Sequence, residues 1–256
     1  APKAINLDFR GDGTIQNLQT DGRTTIKLNS PNNSPESADK KLTADKIVTV
    51  FRDNGNELAK ASAIGNAVLE VQPLRNSASN YRSIANASRF DCEFYAKNNA
   101  RNCSANGNAE VVRYPTVNSK SKQTLTANSL NAIFNQQTQD IERFDANGKA
   151  KFSEADRNGV ANQIVFTAND EFVRLRGGEP TVWDSQARAK ASEIDWDTRN
   201  ERSQLRGNVS TTYYSQKQTS GATPFTSVNS PVFITANNAN FDHQNQSALY
   251  TGNARA

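Results

Sequence analysis

The chain has 256 residues, a formal net charge of +4 and a composition that is 35% hydrophobic, 8% aromatic and 22% charged. That apolar share lies below the 45–50% or so usual for a globular chain, so one thick core is excluded in favour of thin layers. No stretch approaches the ~18 consecutive apolar residues of a membrane helix, and no basic stripe or recognition helix points to nucleic acid. The chain lacks methionine and begins Ala1-Pro2-Lys3; it is expected to be a piece of something longer, with an anchor or leader before it and more repeats after it.

In chain order, residues 4–9 predict a strand, Arg10-Gly11-Asp12-Gly13 a turn, and Thr20-Asp21-Gly22-Arg23-Thr24 a strand broken at its glycine. Ala44-Asp45 then opens a unit. The β-branched run 47–51 reads as a strand and Asp53-Asn54-Gly55-Asn56 as a turn, although 53–63 is locally helix-friendly. Ile64-Gly65-Asn66-Ala67 follows, about twenty residues after the alanine.

The same order recurs. Alanine elements sit at Ala85-Asn86, Ala127-Asn128, Ala168-Asn169, Ala191-Ser192 and Ala236-Asn237. Glycine elements sit at Gly107-Asn108, Gly148-Lys149, Gly207-Asn208 and Gly252-Asn253. Gly22, Gly65, Gly107 and Gly148 are spaced 43, 42 and 41 residues apart. A fixed period of that size marks stacked supersecondary units. Between Gly148 and Gly207 an extra element, Gly177-Gly178, shortens the unit to about 30 residues. Turns are expected at 97–99, 136–138, 197–200 and 243–246, and exposed loops at 29–40, 73–80, 115–123 and 215–230. Each repeat glycine is read as a corner that carries a strand from one sheet to a facing one.

Cys92 and Cys103 lie symmetrically about Lys97-Asn98. If that pair is the hairpin turn, the cysteines face each other and suit a disulfide, which implies an oxidising compartment; two unpaired thiols are the alternative.

Alanine-centred strand, polar turn and Gly-Asn-Ala/Val strand together resemble the OstA-like domain of periplasmic lipopolysaccharide-transport proteins: LptA, LptC and the N-terminal domain of LptD. Units 42–71, 125–152, 189–212 and 234–254 carry the resemblance, which covers essentially the whole chain; aspartate follows the alanine only at Ala44-Asp45. It implies an all-β fold: one elongated β-jellyroll over residues 1–256, made of two facing, splayed antiparallel sheets. It further implies that the interior shields acyl chains of lipopolysaccharide or a related amphiphile. Protomers and other transport proteins would join by edge-to-edge strand pairing, with head-to-tail self-association, in a periplasmic bridge between the membranes.

The candidate lipid lining is Ile47, Phe51, Phe90, Phe94, Ile133, Phe144, Phe152, Phe166, Phe172, Trp183, Trp196 and Phe233; a closed sandwich core would use the same residues. Lys46, Arg82, Arg174, Arg176, Arg188 and Lys190 are candidates for lipid phosphates or ordinary surface charge. Catalysis finds little support. The single histidine, His243, sits in a turn-like segment, and Asp195 and Asp197 share a strand face as alternation makes common. Residues 53–57 lack the full calcium-loop spacing, so neither metal nor cofactor is expected. The rival reading is an extracellular β-propeller or β-solenoid scaffold for adhesion or carbohydrate binding; a polysaccharide-cleaving β-helix enzyme comes third.

Overall fold

The computed structural model describes residues 2–29, 37–76, 80–214 and 231–256. The expected loop at 215–230 and most of that at 29–40 lie outside them, except that residues 38–40 already belong to a strand. The fold is all-β, with one short 3-10 turn at Ala96–Asn98. Contacts divide the chain into two units, residues 1–147 and 148–256.

The first unit holds β1 (Ala4–Phe9), β2 (Ile15–Asp21), β3 (Thr24–Leu28), β4 (Ala38–Ala44), β5 (Lys46–Phe51), β6 (Leu58–Pro73), β7 (Tyr81–Phe94), β8 (Ala100–Pro115) and β9 (Gln123–Phe134). The division between units falls inside β10 (Ile141–Glu154). The first unit is built on antiparallel neighbours: β1 with β2, β2 and β6 with β5, β3 and β6 with β4, then β6 through β9 in sequence. The helix-friendly stretch at 53–63 is a turn followed by the start of β6: cross-strand pairing of Ala61 and Ala63 overrides local propensity.

Each repeat glycine is a corner. Gly65 (φ +78°) is followed by Asn66 (φ +46°), Gly107 (φ +82°) by Asn108 (φ +52°), Gly207 (φ +75°) by Asn208 (φ +52°), and Gly252 (φ +74°) by Asn253 (φ +55°). Two successive left-handed residues insert a bulge, and the register slips between Ile64 and Ala67 and between Asn106 and Ala109. Opposite each of these four glycines lies a small polar residue. A Cβ on Gly65 would stand 2.7 Å from Asp45, one on Gly107 2.5 Å from Ser88, one on Gly207 2.8 Å from Ser192 and one on Gly252 2.8 Å from Asn237. The backbone N–H of Asp45, Ser192 and Asn237 donates to the carbonyl of its glycine. In two units the repeat is phased differently from the sequence reading. The corner is Ala87-Ser88 rather than Ala85-Asn86, and Ala161-Asn162 against Gly177 rather than Ala168-Asn169, which lies in a turn.

The second unit contains β11 (Arg157–Thr167), β12 (Phe172–Arg176), β13 (Thr181–Trp183), β14 (Ala187–Lys190), β15 (Glu193–Asp197), β16 (Arg202–Tyr213), β17 (Val232–Asp242) and β18 (Ser247–Thr251). Here the corner between β12 and β13 and that between β14 and β15 break the strand outright. Each half-strand then pairs separately: β12 with β15, and β13 with β14.

Both units therefore have two arms that meet at a line of corners. Small buried residues mark that line: Ala44, Ala67, Ala87, Ala109 and Ala127 in the first unit, and Ala161, Ala191, Val209 and Ala236 in the second.

Candidate functional site

Register fixes which side chains share a side of the sheet. In the first unit Ile47, Ala63, Phe90, Ala105 and Leu130 are successive cross-strand partners, none more than 9% exposed. Thr49, Ala61, Cys92, Cys103 and Ala132 form the next row. Cys92 and Cys103, direct cross-strand partners, are joined by a disulfide. Beyond the corner Ile26, Leu42, Leu69, Ala85, Val111 and Leu125 make a third row on this inner side. All six are only half-buried.

The second unit repeats the pattern. Ile164, Leu175, Ile194, Leu205 and Ala239 form its deepest row, each at most 6% exposed. Phe166, Val173, Trp196, Ser203 and Phe241 form a half-buried row beside it. Across the corner lie Val182, Ala189, Thr211 and Ile234. Gly159 pairs with Val182 and leaves room for a ring: a Cβ there would stand 2.4 Å from Phe152. Tyr213, on the arm of Thr211, meets Tyr250, on the arm of Leu205, with hydroxyls 3.0 Å apart. This contact spans the space between the arms. Burial first, and then the Tyr250 hydroxyl, push the ionisation of Tyr213 above its ordinary range.

Against this map the twelve candidate lining residues separate. Ile47, Phe90, Phe166 and Trp196 lie in inner rows. Phe51 and Phe94 continue the inner alternation toward the turn ends, Phe144 and Phe152 are half-buried and alternate with buried Ala146 and Ala150, and the Phe152 ring faces Gly159. Ile133, Phe172, Trp183 and Phe233 do not join them. Ile133 pairs with Asn102 on the outer side, Phe172 lies under the Arg174 guanidinium, Trp183 under that of Arg188, and Phe233 is 61% exposed. Period-two alternation explains the error: one residue of register reverses the side. The inner aliphatic residues Leu42, Leu69, Val111 and Leu125 were missed because they are not aromatic; their fixed offset from each corner was the available signal.

The outer side is ionic. Arg89-Phe90-Asp91 and Arg143-Phe144-Asp145 each place an aromatic inside and a forked arginine–aspartate pair outside, with N–O distances of 2.6–2.8 Å. The Arg89 guanidinium holds the Asp91 carboxyl below the usual carboxylate range. Buried Asp195 receives Arg176 and Arg206, and Asp197 caps the turn through Asn200; the two carboxylates are thus committed to structure. Arg174 is held by Asp170 and Thr167. Arg82 stands apart, over the Tyr114 ring at 5.7 Å and 3.8 Å from Glu70. His243 bonds Ser203 at 2.8 Å and stacks near Phe241; burial lowers its pKa. Among the described residues no group of three metal-ligating side chains converges, and no helix is long and apolar enough to cross a membrane.

Residues 94–202 match the family model described as LptA/(LptD N-terminal domain) LPS transport protein. The family resemblance read from the repeats therefore stands over that stretch. Among solved structures, the chain is similar to LptH, the LptA homologous periplasmic component of the lipopolysaccharide transport device of Pseudomonas aeruginosa. That match has 12% identity and a TM-score of 0.39, covering 58% of this chain and 87% of the other. No curated protein matches the chain.

Proposed function

We propose that the protein is a non-enzymatic periplasmic carrier of lipopolysaccharide or a closely related amphiphile, which shields acyl chains on the inner side of its arms. The observation that carries this reading is the half-buried apolar row from Ile26 to Leu125, which leaves aliphatic surface accessible beside a buried line of alanines. Acyl chains gain about 0.8 kcal/mol for each CH₂ buried, so a continuous apolar side is sufficient and no reaction is needed. The family match over residues 94–202 supports the same ligand, and the Cys92–Cys103 disulfide suits an oxidising periplasm.

Bridging between membranes belongs to the same reading. Strand β1 pairs with β2 and exposes Ile5, Leu7 and Phe9, features that favour strand addition from another transport protein or a second copy.

The test is site-specific photo-crosslinking to purified lipopolysaccharide. Probes at Leu69, Phe94, Val111 and Trp196 are expected to give adducts, and probes at Ile133 and Phe233 are not. Adducts at the outer positions alone, or none at any position in folded protein, would overturn the carrier reading.

A further inference from the structure

Resting on that reading, we infer that Tyr213 and Tyr250 form a clasp across the inner side of the second unit, and that it has to part before an acyl chain lies there. The pair departs from the repeat. Two residues before the repeat glycine, the other units carry Thr20, Ala63, Ala105, Ala146, Leu175 or Leu205; before Gly252 stands Tyr250. Six residues after Gly65, Gly107 and Gly148 stand Val71, Arg113 and Glu154; six after Gly207 stands Tyr213. Two phenols therefore occupy facing arms where the earlier units carry other chemistry, and their oxygens meet at 3.0 Å.

Register puts this contact over the side that takes chains. Tyr250 is the cross-strand partner of Ala239, in the deepest row of one arm. Tyr213 lies one row beyond Thr211 on the other arm. The Tyr250 ring meets the Phe241 ring edge-on with centroids 5.9 Å apart, and Phe241 ends the half-buried row of Phe166, Val173, Trp196 and Ser203. The hydroxyl pair joins the arms at the end of that row and fixes how far apart they stand there. Burial and the Tyr250 hydroxyl keep the Tyr213 proton in place. The closed arrangement leaves two polar atoms unsatisfied. Thr211 Oγ and Trp196 Nε1 are buried and have no hydrogen-bond partner among the described residues. Buried groups without partners disfavour the arrangement that holds them so. An ester or amide carbonyl at the head of an acyl chain accepts from either one, which offsets the loss of the hydroxyl contact when the arms part.

The experiment is photo-crosslinking of the full chain to purified lipopolysaccharide, with the probe at Trp196 in the second unit or at Val111 in the first. Tyr213→Phe deletes the hydroxyl contact and keeps the ring. It is expected to raise the adduct yield at Trp196 about fivefold, the weight of one net hydrogen bond, and to leave Val111 unchanged. The converse is a Tyr213→Cys, Tyr250→Cys double variant, joined across the arms after folding by a short bismaleimide; Cys92 and Cys103 are bonded to each other and do not compete. Joining is expected to abolish the adduct at Trp196 and spare that at Val111, while the same variant left unjoined gives both. An unchanged yield at Trp196 in either Tyr213→Phe or the joined protein overturns the clasp and leaves the carrier reading standing. An equal change at Val111 also overturns it, because the effect is then not confined to the second unit. No adduct at either position in the wild type removes the carrier reading itself, and the clasp with it.

Discussion

Gly107 shows what one residue contributes. Its φ of +82° is a conformation that residues with a side chain adopt at a cost, and a Cβ there would sit 2.5 Å from Ser88 Oγ and 2.7 Å from Ser88 Cβ. Gly107→Ala is expected to destabilise by about 1–3 kcal/mol, read as a lower urea midpoint. Gly11, with open space around its Cβ position, serves as the control; Gly11→Ala is expected to stay within about 0.5 kcal/mol of wild type. A hydroxyl gives a second prediction. Tyr213 has an ionisation raised above the ordinary value of 10.0. The unfolded chain therefore gives up that proton first as pH climbs past 10, and stability falls with rising pH. Tyr213→Phe should flatten that decline in thermal melts between pH 9 and 11; an unchanged slope would place its cause elsewhere.

Elements are held together by devices that repeat with the chain. Arg10 Nη2 donates to the Phe51 carbonyl at 2.6 Å, and Arg52 Nη2, one unit later, donates to the Phe94 carbonyl at 2.6 Å. Asn98 accepts from the Leu58 N–H and Gln139 from the Ala100 N–H. Each turn thus ties to the turn of a neighbouring hairpin. The disulfide is the covalent member of this set and closes a loop with a sequence separation of 11. Replacing both cysteines with alanine is expected to cost about 3 kcal/mol through the freed unfolded chain, measured by denaturation under non-reducing conditions. Phe90, 9% exposed in the deepest row, should cost about 3–5 kcal/mol as Phe90→Ala. The ratio of the two losses separates chain entropy from packing.

For the whole molecule, the division at Asn147 and Gly148 raises the question of whether the two units unfold together. A single transition that is shifted equally by Gly107→Ala and by Gly207→Ala would show cooperative units. Two transitions, each moved by one substitution, would show independent ones. The proposed function depends on the sides of the sheets more than on unit boundaries. Apolar rows line the inner side in both units, while the outer side carries the pairs Arg89–Asp91, Arg143–Asp145 and Arg176–Asp195. This asymmetry is what the crosslinking contrast between Val111 and Ile133 interrogates.

Much of this was legible in the chain. Glycines 41–43 residues apart mark the corners, because each adopts a left-handed conformation that glycine reaches at no steric cost. The polar turns and the opposition of Cys92 to Cys103 follow from hairpin symmetry, which is local. What the sequence left open was phase. Ala85-Asn86 and Ala168-Asn169 look like corners, but their strands place the bend at Ala87-Ser88 and Ala161-Asn162. A side chain's side of a sheet is set by its partner across the strand, since one step of register exchanges inside for outside. For that reason Phe90 and Phe166 fall in the inner rows, whereas Ile133, Phe172, Trp183 and Phe233 lie on the other side. Local chemistry determined where the chain bends; only the tertiary pairing decided which apolar residues meet one another.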